Sequence, residues 1–243
     1  MAFFRSALVV LLIVLTASCT SRERLDDTDR PQIFSGNPQT EEHFEFIEHG
    51  LFPAAGSLYN TNNSFVGSCV LIKKDIALTA GHCIELGDLK YARFGNEEIM
   101  IEHQYIHKDY NEGDDIGFLL LASPSKHEPM PIITDVEMLP KMTPLHTIAH
   151  GGGRKKISKD YVFQYYGILK NKPNEVVFLP LHNTIWFGDS GGALVYEDAS
   201  GKFYLAGIIT HFSTTGRLIY ECAARRADNF QIYDDIWQPW IAK

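Results

Sequence analysis

The sequence GDSGG at residues 188–192 is the most informative stretch of this chain, and two further motifs precede it. LTAGHC occupies residues 78–83, and DIGFLLL occupies residues 115–121. A histidine, an aspartate and a serine, each set among small or apolar residues, therefore follow one another in that order. These are the three side-chain types that nucleophilic catalysis of acyl transfer requires.

Each of these residues would have its own chemical task. A serine hydroxyl becomes a good nucleophile when a neutral imidazole takes its proton, and a carboxylate holds that imidazole in the right tautomer. Ser190 is thus the candidate nucleophile, His82 the candidate base and Asp115 the candidate carboxylate. The glycines beside Ser190 allow a tight loop that brings backbone N–H groups close to a substrate carbonyl oxygen.

The chain order His, Asp, Ser differs from that of α/β-hydrolases and from that of subtilisins. At the three motifs the sequence resembles the trypsin/chymotrypsin family of serine endopeptidases. The resemblance implies an all-β fold of two antiparallel six-stranded β-barrels, with the active site between them and a C-terminal helix. It also implies peptide hydrolysis through an acyl-enzyme, without a metal or an organic cofactor. The alternative is a catalytically silent protease homologue that acts as a surface binding module.

The resemblance implies two further roles near the nucleophile. The backbone N–H groups of Gly188 and Ser190 would form the oxyanion hole. Asp189 would pair with the ammonium of a new N-terminus at Ile33, which proteolysis of a zymogen would create. Because Pro31-Gln32 and not a basic residue precedes Ile33, a peptidase without trypsin-like specificity is expected to make that cut.

The resemblance assigns the S1 pocket to four residues, Thr184, Thr210, His211 and Phe212. Thr184 stands where trypsins carry an aspartate, so a Lys or Arg side chain of the substrate would find no counter-charge. Phe212 replaces a glycine of the pocket wall and favours small or medium neutral side chains. In the alternative, His211 and Thr184 would receive an acidic side chain.

Four cysteines occur, at Cys19, Cys69, Cys83 and Cys222. The resemblance implies a disulfide from Cys83 to the preceding strand, but the alignment puts Gly67 at the bridging position and Cys69 two residues further on. Two residues along a strand move the sulfur by about 7 Å, whereas a disulfide needs Cα atoms about 4.4–6.8 Å apart. A Cys69–Cys83 disulfide and a buried free thiol therefore both remain open.

Residues 1–19 are typical of a signal peptide. The aliphatic run from Ala7 to Leu15 is shorter than the about 20 residues that span a bilayer. The run ends at LTASC, which resembles a bacterial lipobox with Cys19 as the lipidated residue; the alternative is an ordinary secretory signal. Residues 20–32 are polar and predict a linker or propeptide, and residues 33–243 predict the peptidase domain. The protein is therefore expected to be exported, and either lipid-anchored to the bacterial envelope or secreted after cleavage.

Composition and patterning agree with these expectations. Short apolar runs separated by turn residues are typical of barrels or sandwiches, and only Asp228–Ile241 has partly helical spacing. The net charge is −8, and the basic run at 154–156 predicts a solvated face, which argues against a nucleic-acid partner. His103 and His107 lack a third ligand at a useful spacing, so no metal site is predicted. The expected partners are protein or peptide substrates, with membrane contact only through the lipid, and the chain is expected to be a monomer.

Overall fold

The computed structural model describes residues 44–112, 114–135, 139–140, 143–158, 161–163, 175–180, 185, 187–215, 218–226 and 240–243. The predicted signal peptide, the lipid-bearing Cys19, the linker and Ile33 lie outside these residues. The domain boundaries proposed at residues 19 and 32 therefore stay predictions.

The described elements are almost all strands. The first group is β1 (Phe44–Phe46), β2 (Ala55–Asn60), β3 (Phe65–Lys73), β4 (Ile76–Thr79), β5 (Leu89–Phe94), β6 (Glu97–His107) and β7 (Gly117–Leu121), with helix α1 (Gly81–Gly87) between β4 and β5. The second group is β8 (Pro144–Ala149), β9 (Lys156–Ser158), β10 (Tyr161–Phe163), β11 (Glu175–Pro180), β12 (Ala193–Glu197), β13 (Phe203–Thr215), β14 (Leu218–Arg226) and β15 (Trp240–Ala242). Short 3-10 helices occupy Tyr110–Glu112 and Gly151–Gly153.

The first sheet consists of β2 to β7 and β15, and all its strands except β15 close into a barrel. Antiparallel pairing runs in the order β6-β5-β2-β3-β4-β7, and β6 also pairs with β7. Its core is dense because side chains of facing strands fill a barrel of this size; the large side chains that are no more than 1% exposed include Leu58, Leu71, Leu78, Phe94 and Phe118. This barrel confirms the prediction of an all-β fold.

The second sheet contains the remaining strands apart from β15. Its order is β1-β9-β8-β10-β11-β14-β13-β12, with a further pairing between β8 and β12. Parts of the chain that connect these strands lie outside the described residues, so the second closed barrel stays a prediction. Three strands of this sheet are relevant to the site. β12 begins directly after GDSGG, and β8 pairs with both β12 and β9.

The predicted C-terminal helix, Asp228–Ile241, lies mostly outside the described residues, which omit 227–239. Its end is described, and there the prediction was wrong. Trp240 and Ile241 belong to β15, which pairs antiparallel with β6 opposite His107 and Ile106. At Trp240 and Ile241, backbone hydrogen bonding to β6 determines the conformation, and the helical spacing of the apolar residues does not. In the part of the chain that the structure describes, no helix is long and apolar enough to cross a membrane.

A buried basic cluster lies beside the second sheet. His150 is 2% exposed, and its ring stacks on that of His49 with 5.8 Å between centroids. Lys155, also 2% exposed, donates hydrogen bonds to the carbonyl oxygens of Phe52 and His49 at 2.6 and 3.4 Å. Burial, followed by the charges of Lys155, His49 and Arg93, lowers the pKa of His150 to about 3.

This pKa predicts how stability changes with pH. In the unfolded chain His150 takes up a proton near pH 6.5, whereas in the folded protein it does so only near pH 3. Between these values the unfolded state binds more protons, so the free energy of unfolding falls as the pH is lowered. His150→Phe should remove up to about 1.4 kcal/mol per pH unit from that slope between pH 6 and pH 4. Chemical denaturation across this pH range measures it.

His103→Gln is the matched control, because the side chain of His103 is 56% exposed and its substitution should leave the slope unchanged. Equal slopes in the wild type and His150→Phe would contradict the prediction.

Candidate active site

The pairing of β4 with β7 brings His82 and Asp115 together. Thr79, the last residue of β4, lies opposite Gly117, the first residue of β7. His82 follows Thr79 closely in α1, and Asp115 just precedes Gly117. The barrel therefore delivers both side chains to the same end of these two strands.

His82 makes two hydrogen bonds to Asp115. Its ring Nδ1 lies 2.7 Å from Oδ2, and its backbone N–H donates to Oδ1 at 2.9 Å. Both oxygens of the carboxylate are thus bonded to the same residue. This contact fixes the position of the imidazole and the orientation of the carboxylate together.

The electrostatics of the pair favour the ionised carboxylate. Burial alone would raise the pKa of Asp115, but the hydrogen bonds and charge of His82, with a contribution from His211, lower it overall. Burial lowers the pKa of His82, but the Cys83 sulfur and the Asp115 carboxylate outweigh burial and raise it. The raised pKa favours the imidazolium. When the ring is neutral, an ionised Asp115 accepts the Nδ1 proton, and Nε2 is left as the proton acceptor.

Ser190 lies against the segment that carries His82. Its carbonyl oxygen accepts a hydrogen bond from the Ser68 N–H at 2.8 Å and lies 3.8 Å from Sγ of Cys83, the residue after His82. The Ser190 hydroxyl lies 3.5 Å from the carbonyl oxygen of Thr210. The structure therefore gathers the three predicted catalytic residues in one region.

Residues 187–192, here called the oxyanion loop after the predicted oxyanion hole, turn tightly at two glycines. Gly188 and Gly191 have φ angles of +91° and +83°. A Cβ at Gly191 would lie 2.0 Å from the Ser68 carbonyl oxygen, so only glycine fits. Among the described residues, the N–H groups of Gly188 and Ser190 donate to no acceptor.

Asp189 is 1% exposed, and it has a partner that the sequence analysis missed. Lys156 Nζ lies 2.7 Å from Asp189 Oδ2, and the Gly151 N–H donates to Oδ1 at 2.7 Å. The predicted partner, Ile33, lies outside the described residues, so its ion pair with Asp189 stays a prediction.

The prediction that the basic run at 154–156 is a solvated face was wrong for two of its three residues. Lys155 is 2% exposed and Lys156 is 3% exposed. Lys155 is bonded to carbonyl oxygens and Lys156 to a carboxylate, which offsets the cost of burying their charges. The one sequence signal for such a lysine was the predicted pairing of Asp189 with an ammonium, which requires a cation but does not identify Lys156 as its source.

The predicted S1 residues are only partly described. Thr210 is 3% exposed, and its hydroxyl oxygen lies 3.1 Å from Nδ1 of the exposed His211. Thr184 lies outside the described residues, as does the side chain of Phe212, whose backbone is in β13. The assignment of the pocket therefore stays a prediction.

Cys69 and Cys83 are buried free thiols in the structure, so of the two possibilities left open the disulfide is not formed. A Cβ built on Gly67 would lie 2.9 Å from Sγ and 4.0 Å from Cβ of Cys83. Gly67, and not Cys69, thus faces Cys83, which is the offset that the alignment indicated. Burial raises the pKa of the Cys69 thiol well above its ordinary value. Cys19 and the side chain of Cys222 lie outside the described residues.

His107 acquires acidic neighbours that its sequence spacing did not reveal. A ligand-capable atom from each of His107, Asp109 and Asp114 lies within 4.8 Å of the others. Nδ1 of His107 accepts a hydrogen bond from the Asp109 N–H at 3.3 Å and lies 3.5 Å from the Asp114 carboxylate. Hydrogen bonding thus already engages the ring nitrogen that faces these carboxylates.

The geometry around Gly67 predicts a disulfide that the natural chain lacks. A Cβ–Cβ distance of 4.0 Å is within the range of about 3.5–4.5 Å that disulfides adopt. Gly67→Cys should therefore bond to Cys83 on air oxidation, which thiol titration and peptide mapping measure. Cys69→Ser in the same background should leave the bond intact. A bond from the new cysteine to Cys69, or none at all, would contradict this placement.

Comparison with known proteins agrees with the fold. The family model described as Trypsin matches residues 44–241, which include β1 to β14, all three motifs and Lys156. No curated protein matches the chain significantly. The family match covers well over half of the chain, and protein or peptide substrates follow from it. The chain therefore belongs to the trypsin family of serine peptidases.

Proposed function

We propose that this protein is an endopeptidase that hydrolyses peptide bonds through an acyl-enzyme on Ser190. The observation that carries the proposal is the pair of hydrogen bonds from His82 to Asp115, at 2.7 and 2.9 Å. They hold the imidazole in the tautomer that can take a proton from a serine hydroxyl. Membership of the trypsin family supports the same chemistry.

In the first half of the reaction, Ser190 Oγ attacks the substrate carbonyl carbon while His82 Nε2 takes the hydroxyl proton. The N–H groups of Gly188 and Ser190 stabilise the negative charge that develops on the carbonyl oxygen. The tetrahedral intermediate collapses as His82 gives the proton to the leaving amine. An ester on Ser190 remains.

Water completes the cycle by the same route. His82 takes a proton from water, whose oxygen attacks the ester carbon, and then returns the proton to Ser190 Oγ. Asp115 stays ionised throughout and stabilises the imidazolium that forms in each half. No group beyond the residues of this chain and water is needed to balance these steps.

The wider proposal follows from the sequence. Residues 1–19 would direct export, with Cys19 carrying a lipid or being lost with an ordinary signal peptide. Cleavage before Ile33 would produce a form without residues 20–32. The S1 residues Thr184 and Phe212 would select small or medium neutral side chains.

The proposed triad of His82, Asp115 and Ser190 predicts that Ser190 reacts with a fluorophosphonate probe, which labels activated serines. The wild type should be labelled, and Ser190→Ala should not. Asp115→Asn should lower the labelling rate by about 10⁴-fold, because the imidazole would then be held in the wrong tautomer. The rate of probe incorporation, measured by mass spectrometry, tests this.

Asp114→Asn is the matched control, because Asp114 is the adjacent carboxylate and contacts His107 at 3.5 Å. It should be labelled at the wild-type rate. A folded wild type that resists the probe would favour the silent binding module.

Substrate choice provides a separate prediction. Peptides with a small or medium neutral residue before the cut should have kcat/KM at least about tenfold higher than those with Lys or Arg, because the predicted pocket lacks a carboxylate. A peptide library read by mass spectrometry measures this preference. Dominant cleavage after Lys or Arg would contradict the pocket assignment, and dominant cleavage after Glu or Asp would favour the role of His211.

A further inference from the structure

The carboxylate next to the proposed nucleophile is neutralised from within the chain. Asp189 precedes Ser190, and its side chain is 1% exposed. Its partner, the ammonium of Lys156, is 2.7 Å away on a side chain that is 4% exposed. Burying either charge alone would be costly, so the two groups depend on each other to remain in the interior.

The position of Lys156 is set by backbone pairing on both sides. Lys156 begins β9, where it lies opposite Ala149 of β8 and opposite Phe46 of β1. Its ammonium also lies 5.6 Å from the ring centroid of the buried Phe44. The ammonium is thus held at a fixed place by two strands, and no chain terminus is needed to supply it.

The space between Gly151 and the ion pair is filled. The Gly151 N–H bonds the second carboxylate oxygen of Asp189 at 2.7 Å. A Cβ on Gly151 would approach Asp189 Oδ1 to 2.5 Å and Lys156 Nζ to 2.9 Å, so not even a methyl group fits. A second ammonium entering from the side of Gly151 would have to displace Lys156.

The same segment that contacts the ion pair also holds the oxyanion loop. The Gly152 N–H donates to the Phe187 carbonyl oxygen at 3.3 Å. The Ser68 hydroxyl donates to the Gly188 carbonyl oxygen at 2.9 Å and accepts from the His150 N–H at 3.0 Å. Gly152 and Gly151 are therefore bonded directly to the loop at residues 187 and 189. His150 reaches Gly188 through the Ser68 hydroxyl.

We infer that Lys156 is a built-in counter-ion of Asp189 that orders the oxyanion loop, so that the chain is competent for catalysis before any cut at Ile33. This inference rests on the proposed function, because it concerns the loop that would stabilise the oxyanion. Lys156 is a positioning residue that acts through Asp189. Cleavage before Ile33 then removes residues 20–32 from the enzyme and leaves its activity unchanged.

The test compares two purified forms, residues 20–243 and residues 33–243, each as wild type and as Lys156→Met. Fluorophosphonate labelling rates are measured for all four. The two wild-type forms should be labelled at rates within about threefold of each other. Lys156→Met should lower the rate in the longer form by about 100-fold, the effect of losing one oxyanion donor.

Lys155→Met is the matched control. It removes the neighbouring buried ammonium, which is bonded to the carbonyl oxygens of Phe52 and His49. It should leave the labelling rate of the folded protein unchanged. Lys156→Arg, which keeps the positive charge, should recover most of the rate that Lys156→Met loses.

Two further measurements separate positioning from general loss of structure. On an ester substrate, Lys156→Met should lower kcat and leave KM nearly unchanged, since binding does not require the oxyanion N–H groups. The double variant Lys156→Met with Asp189→Asn removes both buried charges and should fold. Its labelling rate should be as low as that of Lys156→Met, because both lack the ion pair.

Each contrary result has its own meaning. Labelling of the 33–243 wild type alone would overturn the inference and make the Ile33 ammonium the switch. Wild-type labelling rates in folded Lys156→Met, or in the double variant, would also overturn it. If neither wild-type form is labelled while both are folded, the proposed function fails, and the inference fails with it.

Discussion

The contact between Lys156 and Asp189 is the interaction on which the proposed catalytic end of this protein depends. It lies in the interior, where a charge without a partner is too costly to keep. Asp189 is adjacent to Ser190, so the position of its carboxylate sets the path of the backbone through the oxyanion loop. The lysine is itself fixed by β1 and β8, and the second sheet therefore carries this constraint to the proposed nucleophile.

A second constraint comes from the barrel. The hydrogen-bond register that places Thr79 opposite Gly117 also places the carboxylate of Asp115 within reach of His82. A shift of that register by one residue would turn the side chains of one strand to the other face of the sheet, and it would move His82 away from Asp115. The dense barrel core holds the register, so burial of apolar side chains far from the site maintains the geometry of the proposed acid–base chemistry.

Ser68 links these two parts. Its backbone N–H bonds the carbonyl oxygen of Ser190, while its hydroxyl bridges Gly188 and His150. Ser68 lies in β3 of the barrel, and the groups that it bonds lie in the oxyanion loop and just after β8. The proposed nucleophile is thus tied to the barrel that carries His82 by one backbone hydrogen bond, and its loop is tied to the same barrel by the Ser68 hydroxyl.

Much of this site could be predicted from the sequence, because GDSGG, LTAGHC and the aspartate before an apolar strand are local signals. The all-β class was also readable from the alternation of apolar residues, and the offset of Gly67 relative to Cys69 followed from the alignment with the family that the sequence resembles. The sequence by itself therefore determined which residues carry the proposed chemistry. Only the tertiary structure decided the partner of Asp189, the strand at Trp240–Ala242 and the burial of Lys155 and Lys156. The physical reason is that a charge is buried, or a strand edge paired, only where a distant part of the chain supplies the counter-charge or hydrogen-bonding groups, and neither periodicity nor composition records that proximity.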